Sequence, residues 1–302
     1  MTETLIKAAH RAFDGVDGIL VINMDSRPER YAHFMSTVGK YLPIEKVERF
    51  SAVPGRELKS YGKEPWFTEV TGERSVFWGG TGGCALSHRN AIAYARDKGW
   101  KNVLIFEDDV LVEPSEEGFL AVAKALKTLR GAYMFYLGYN RPSPFGYPYR
   151  RHGSAEVWKT DGVIAAHAYI VSSELYDDML ADLPKNDDDV WEWLSRYRAI
   201  DVYYRDFVAY WLGVNIYVLS PILFAQKDGL SDIGLIAAEG IEVACRQAPR
   251  SLTTASGICR LFTYPYRRLK IWLNSLRTRR RALRGGLPGF SNKRHRDDIE
   301  EE

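Results

Sequence analysis

Cysteine is scarce and scattered. Cys84, Cys245 and Cys259 are the only three in 302 residues, and no two of them form a Cys-x-x-Cys pair. Such usage argues against a disulfide framework or a zinc knuckle and suits a reducing compartment. No run approaches the roughly 18 consecutive apolar residues of a membrane span. The opening "MTETLIKAAHRAFDGVDG" has no basic-then-apolar signal pattern, so the expected location is cytosolic. A dominant charge is also lacking, with 41 Lys/Arg against 39 Asp/Glu, but the balance hides an asymmetry. From Arg260 onward there are 12 Lys/Arg and 5 Asp/Glu, a net +7, which leaves residues 1–259 at −5. The glycines of "GGTGG" (79–83) are followed by no Gly-Lys-Ser/Thr, which excludes a P-loop. There is no internal repeat and no recognisable nucleic-acid-binding pattern, so nucleic acid is not an expected partner.

A hydrophobic fraction of 46% is ordinary for a folded chain and sufficient for a sizeable core. The pattern alternates short apolar runs with helical spacing. "GILVIN" reads as a strand, followed by a helix with Pro28 in its first turn. "VERFSAV" (47–53) predicts a second strand and residues 54–82 an irregular excursion. A helix is expected from about His88 to Lys98, with Ser87 as its N-cap and Gly99 as its stop. "VLIF" is a continuous apolar run, as in a parallel strand covered on both faces. "FLAVAKALKTL" predicts a helix, "AYMFYLG" a strand and residues 139–153 a Pro/Gly/aromatic loop able to lie over a ligand. "HAYIVS" and "NIYVLSPILFAQ" complete the strands, and the aromatic stretch between them is partly helical. The Asp187–Asp189 run reads as a solvated helix start.

Glu107, Asp108 and Asp109 follow "VLIF" directly. Adjacent carboxylates repel, so three together call for a cation or a proton. In open α/β sheets ligands sit beyond the carboxyl ends of the strands, which is where these acids fall. The cluster suits Mg²⁺ or Mn²⁺ bound through oxygen, with substrate phosphate completing the shell; a solvated acidic turn is the alternative.

"VINMDSRPER", "GGCALSHRNAI", "VLIFEDDVLVEP", "HAYIVS" and "FAQKDGLSDI", spread over residues 21–233, resemble glycosyltransferase family 25 in order and spacing. One departure stands out: the family commonly has a Glu before the glycine of "GCALSH", where this chain has Thr81-Gly82-Gly83. The resemblance implies an α/β fold of the GT-A type, with a Rossmann-like, mostly parallel sheet flanked by helices. It also implies a UDP-sugar donor, usually of galactose or glucose, a glycan acceptor such as lipopolysaccharide, and inversion at the anomeric carbon. The resemblance makes Asp109 the expected direct metal ligand, with Glu107 at the metal beside it or orienting the ribose, and Asp108 next to both. Asn23 and Asp25 fall near uridine, and Arg27 and Arg30 near phosphate, to which guanidinium forks are suited. Ser87 and His88 at a helix N-terminus suit an anionic group. His167 matches the pattern but reads as a structural histidine. Asp201 and Asp232 are the candidates for the base that takes the acceptor proton, with Gln226 and Ser231 lining the same pocket. The same acids would also suit a nucleotidyl or phosphoryl transferase, and a noncatalytic glycan-binding module is a third possibility.

The chain divides into a catalytic domain over residues 1–250 and a tail over 251–302. In the tail Phe262, Tyr266, Leu269, Leu273 and Leu276 recur at helical spacing among many Arg and Lys, with Trp272 beside them. A basic amphipathic helix of this kind, over residues 260–284, suits an anionic membrane surface on the cytoplasmic side. The final acidic residues read as disordered.

Overall fold

The computed structural model describes residues 3–59, 61, 73–142, 145–230, 237–238, 253–254, 265–266, 269, 272–273 and 276. The strands are β1 (Gly18–Asn23), β2 (Val47–Ser51), β3 (Asn102–Glu107), β4 (Val110–Val112), β5 (Tyr133–Gly138), β6 (Arg141–Pro142), β7 (Phe145–His152) and β8 (Ala155–Thr160). They continue as β9 (Val163–Ile164), β10 (Ala168–Ser172), β11 (Asn215–Ser220), β12 (Phe224–Gln226), β13 (Gly229–Leu230), β14 (Ala237–Ala238) and β15 (Thr253–Thr254). The helices are α1 (Glu3–Ala12), α2 (Pro28–Thr37), α3 (Glu73–Asp97), α4 (Glu116–Leu126), α5 (Tyr176–Asp182), α6 (Asp187–Tyr197) and α7 (Ile200–Tyr203), the last running into a π-helical stretch at Tyr204–Trp211.

Nine of these strands form one sheet in the order β15-β7-β8-β11-β5-β10-β3-β1-β2. Seven point the same way, and only β8 and β10 are reversed, so the sheet is mostly parallel as expected. Alternate side chains of a strand face opposite sides. Leu20 and Ile22 of β1 and Val103 and Ile105 of β3 therefore join the core layer under α3, α5 and α6. Ile19, Val21, Leu104 and Phe106 join the layer under α1, α2 and α4. Burial on both faces is why these strands are apolar without alternation, each such side chain contributing about 1.5–3 kcal/mol.

Three expectations change. Helix α3 begins at Glu73, not His88, so Ser87 lies inside the helix instead of capping it. The glycines that suggested a loop let the helix touch the 53–55 segment backbone to backbone. A Cβ on Gly83 would stand 2.3 Å from the Val53 carbonyl oxygen, and one on Gly55 1.7 Å from that of Gly79. Residues 145–152, expected as loop, form β7, which shifts register at Pro148/Arg150 in its pairing with β8. Helix α1, which periodicity did not single out, packs on α4 and buries Ala8, Ala9 and Ala12.

Thr253 and Thr254 pair with β7, just past the expected boundary at residue 250. Of the tail helix, Tyr266, Leu269, Trp272, Leu273 and Leu276 are helical and exposed, while Phe262, the basic residues and the acidic end lie outside the described residues. Among the described residues no helix is long and apolar enough to cross a membrane.

Candidate active site

Strands β1 and β3 run parallel in register, Ile22 opposite Glu107, so their carboxyl ends open side by side. A cavity of about 390 Å³ lies there. Arg27 and Arg30 reach it from the start of α2, Val53, Gly55 and Arg56 from the segment after β2, and Cys84, Ser87 and His88 from α3. Glu107, Asp108 and Asp109 form its acidic wall, with Gln226 beside them. Gln226 arrives because β12 pairs with β4, Gln226 opposite Val110, and the Lys227 N–H donates to the Asp109 carbonyl at 2.8 Å.

The three acids have different partners. Asp108 accepts from Arg30 Nη2 at 2.6 Å and from the Asn23 amide at 2.7 Å, so its charge is answered inside the protein. Glu107 faces His88 Nε2 at 3.4 Å. Burial opposes its ionisation, but the His88 contact and the fields of His88, His167 and Arg30 outweigh burial and hold the carboxyl below its usual range. Asp109 is under-compensated. Its Oδ2 meets the Gln226 amide at 3.3 Å and Arg30 at 3.5 Å, whereas its Oδ1 is buried with no partner among the described residues. Burial first, then the charge of Glu107, raise its pKa to about 7 despite Arg30. A buried oxygen without a donor beside an ionised carboxylate is a fit for a divalent cation, which would be held by Asp109 and Glu107.

Other predicted residues are placed as follows. Asn23 is buried, its amide donating to Asp108 and to the Arg27 carbonyl and its oxygen accepting from Arg49, so it braces the acidic wall from behind. Asp25 accepts from Arg49 and Ser51 and does not line the cavity. The Ser87 hydroxyl donates to the Gly83 carbonyl at 2.6 Å and accepts from the Val53 N–H at 2.8 Å, tying α3 to the 53–55 segment. Neither Ser87 nor His88 sits at a helix N-terminus, so the anion-binding reading of that motif fails for lack of unpaired N–H groups. Asp201 does not line the cavity. Its carboxylate accepts from the Ala165 and Val202 N–H groups, and Ala165 has φ 80°, a left-handed conformation uncommon outside glycine. Ser231 and Asp232 lie outside the described residues. His167 is fully buried, its Nε2 3.1 Å from the Phe224 carbonyl, and burial lowers its pKa.

Cys84, which also packs against the core, and Arg56 both line the cavity, and neither is among the residues expected there from the sequence. The signal for Cys84 was its i, i+4 spacing with His88 on one helical face. Burial foremost, then Glu107, Asp201 and Asp109, push its thiol pKa well up.

No curated protein sequence matches the chain. Among solved structures, one called mannose-1-phosphate geranyltransferase from Thermus thermophilus has 12% identity and a TM-score of 0.36, covering 72% of this chain and 76% of its own. A UDP-glucose pyrophosphorylase complexed with UDP-glucose has 9% identity and a TM-score of 0.32, covering 80% and 84%. The segments "HAYIVS" and "FAQKDGLSDI" lie beyond the span that a family model recognises. Residues 16–142, which supply every residue named in the cavity except Gln226, match the model described as glycosyltransferase family 25 (LPS biosynthesis protein).

Proposed function

We propose that the protein is a glycosyltransferase that moves galactose or glucose from a UDP-sugar, with inversion, to a glycan acceptor such as lipopolysaccharide or another surface polysaccharide. The observation that carries this reading is the inequality of the three acids. Asp108 is neutralised by Arg30, Glu107 is kept ionised, and Asp109, which lines a cavity bordered by guanidinium groups, keeps one buried oxygen with no partner among the described residues. Mn²⁺ or Mg²⁺ held by Asp109 and Glu107 would, when bound, supply positive charge beside the departing diphosphate. Arg27, from the start of α2, and Arg56, from the segment after β2, offer planar donors to phosphate oxygens. Arg30 and Asn23 fix Asp108, and Gln226 orients Asp109, so the acidic wall is set before any ligand arrives. A nucleotide held in this cavity would meet Met24, Ser26 and Arg27, since Asn23 is committed to Asp108 and Arg49, and Asp25 to Arg49 and Ser51.

A screen of UDP-sugars with Mn²⁺ or Mg²⁺, reading UDP released by slow hydrolysis, tests the proposal. UDP-galactose or UDP-glucose should turn over, and Asp109→Asn should lower the rate by about 10²–10³-fold, as for loss of one preorganised electrostatic contact. Full activity in that variant would remove the metal assignment. Pyrophosphate release from a nucleoside triphosphate would mean nucleotidyl transfer instead, and no turnover of any nucleotide would mean a binding module.

The tail is proposed to lie on an anionic membrane, bringing the active site to lipid-linked acceptors. Support comes from the exposed helical Tyr266, Leu269, Trp272, Leu273 and Leu276 within a sequence of net charge +7. Flotation with anionic liposomes should carry the full chain and leave behind a chain ending at residue 259. Equal flotation of the two would dismiss it.

A further inference from the structure

Three groups of different chemistry meet on the α3 side of the cavity. The Cys84 thiol, a ring nitrogen of His88 and a carboxylate oxygen of Glu107 each offer one ligand atom, all within 4.8 Å of one another. We infer that these three residues form a site for a thiophilic divalent cation of the Zn²⁺ class, with its fourth position open to the cavity.

The donor set is wrong for Mg²⁺ and right for zinc, which takes thiolate, imidazole and carboxylate together. Geometry agrees. In a tetrahedral site the usual zinc–nitrogen and zinc–oxygen bond lengths place the two ligand atoms about 3.3 Å apart. His88 Nε2 and Glu107 Oε1 stand at 3.4 Å. Cys84 lies one helical turn before His88, so the same face of α3 carries both. On binding, the thiol gives its proton to solvent as the sulfur–metal bond forms.

What surrounds the triad is built like the outer shell of a metal site. A metal-bound histidine has its second ring nitrogen fixed by a hydrogen bond, which sets the tautomer. Here His88 Nδ1 is 2.7 Å from the Tyr169 hydroxyl, which is in turn 2.7 Å from the Tyr204 hydroxyl. Tyr169 also stacks on the imidazole. Both tyrosines are buried, and Tyr204 opens the π-helical stretch, a feature common at functional sites. Glu107 serves this site and the Asp109 site alike, so a soft ion held here would compete with the hard one proposed above. The inference does not depend on glycosyl transfer and is tested without any nucleotide sugar.

Co²⁺ is the probe, added to the reduced, EDTA-treated full chain carrying Cys245→Ser and Cys259→Ser, in which Cys84 is the only thiol. A thiolate-to-cobalt charge-transfer band should appear at one equivalent, vanish on adding Zn²⁺, and be absent from the further Cys84→Ser variant. Tyr169→Phe should weaken Co²⁺ binding by about 10–100-fold, the usual cost of losing a partner to a metal-bound histidine. In the unsubstituted chain, Zn²⁺ should slow alkylation of Cys84, read by peptide mass, by at least about tenfold, since a metal-bound thiolate is not free to react. No band at saturating Co²⁺, or alkylation of Cys84 indifferent to Zn²⁺, would overturn the assignment.

Discussion

Arg30 Nη2 stands 2.6 Å from Asp108 Oδ1, and the same nitrogen is 3.5 Å from Asp109 Oδ2. One guanidinium therefore binds one acid firmly and only partly offsets the next. Arg30→Gln should cost about 1.5–3 kcal/mol of stability, the range for hydrogen bonds to charged groups. Urea denaturation measures this. A loss under about 0.5 kcal/mol, the level of an indifferent surface change, would show that the pair is not structural.

Asp109 gives the pH dependence of stability a sign. Its folded pKa, about 7, exceeds the ordinary 3.8. Between about pH 4 and pH 7 the unfolded chain has released this proton while the folded one keeps it, so stability falls as pH rises through that window. Below the window neither form is ionised and the penalty is absent; above it both are ionised and the penalty is constant. Glu107 works the other way, stabilising the fold above its ordinary 4.5 and losing that contribution as pH falls through its lowered folded value. In EDTA, Asp109→Asn should be flatter than the natural protein between about pH 4 and 7 in urea unfolding. Parallel profiles would contradict the burial of this carboxyl.

Glycine to alanine inside a helix ordinarily gains up to about 1 kcal/mol. At Gly83 the sign should reverse, because the added carbon would meet the Val53 carbonyl oxygen at 2.3 Å and the Gly55 nitrogen at 2.7 Å, both backbone atoms unable to rotate away. A net loss of about 1–3 kcal/mol is expected for Gly83→Ala. A raised melting temperature would mean that α3 and the 53–55 segment do not touch.

Asp201 separates two roles. Its oxygens accept two backbone N–H groups, one of them from Ala165 in its left-handed conformation. As a clamp, Asp201→Asn should lower stability by about 1–3 kcal/mol, the cost of leaving such groups unmatched, while kcat of the folded enzyme stays within about tenfold. A collapse of kcat at unchanged stability would identify the residue as the base instead.

What the sequence made legible was the scaffold behind the acids. "VLIF" declared a strand because both of its faces are buried, and the cluster after it was bound to fall at the sheet's carboxyl end. The beginning of α3 was hidden because Gly79, Gly80, Gly82 and Gly83 have poor helix propensity, and the tertiary contact that requires glycine is invisible in a linear chain. Strand β7 was hidden by Gly146 and Pro148, and the proline is tolerated because the register shifts there. Neither the Arg30–Asp108 pairing, across 78 positions in the chain, nor the withdrawal of Asn23 and Asp25 toward Arg49 has any signature in spacing. Both depend on where side chains turn after the strands have assembled.

The seam between α3 and Gly55 also governs how the cleft can be remodelled. Main chain rests on main chain there, with no side chain to swing aside, so that wall behaves as a fixed jaw. The cleft therefore does not widen by parting α3 from this segment, and extra room for a bulkier guest would have to come from the side chains that line it, such as the long, yielding stems of Arg56 on this wall and Arg27 on the α2 side.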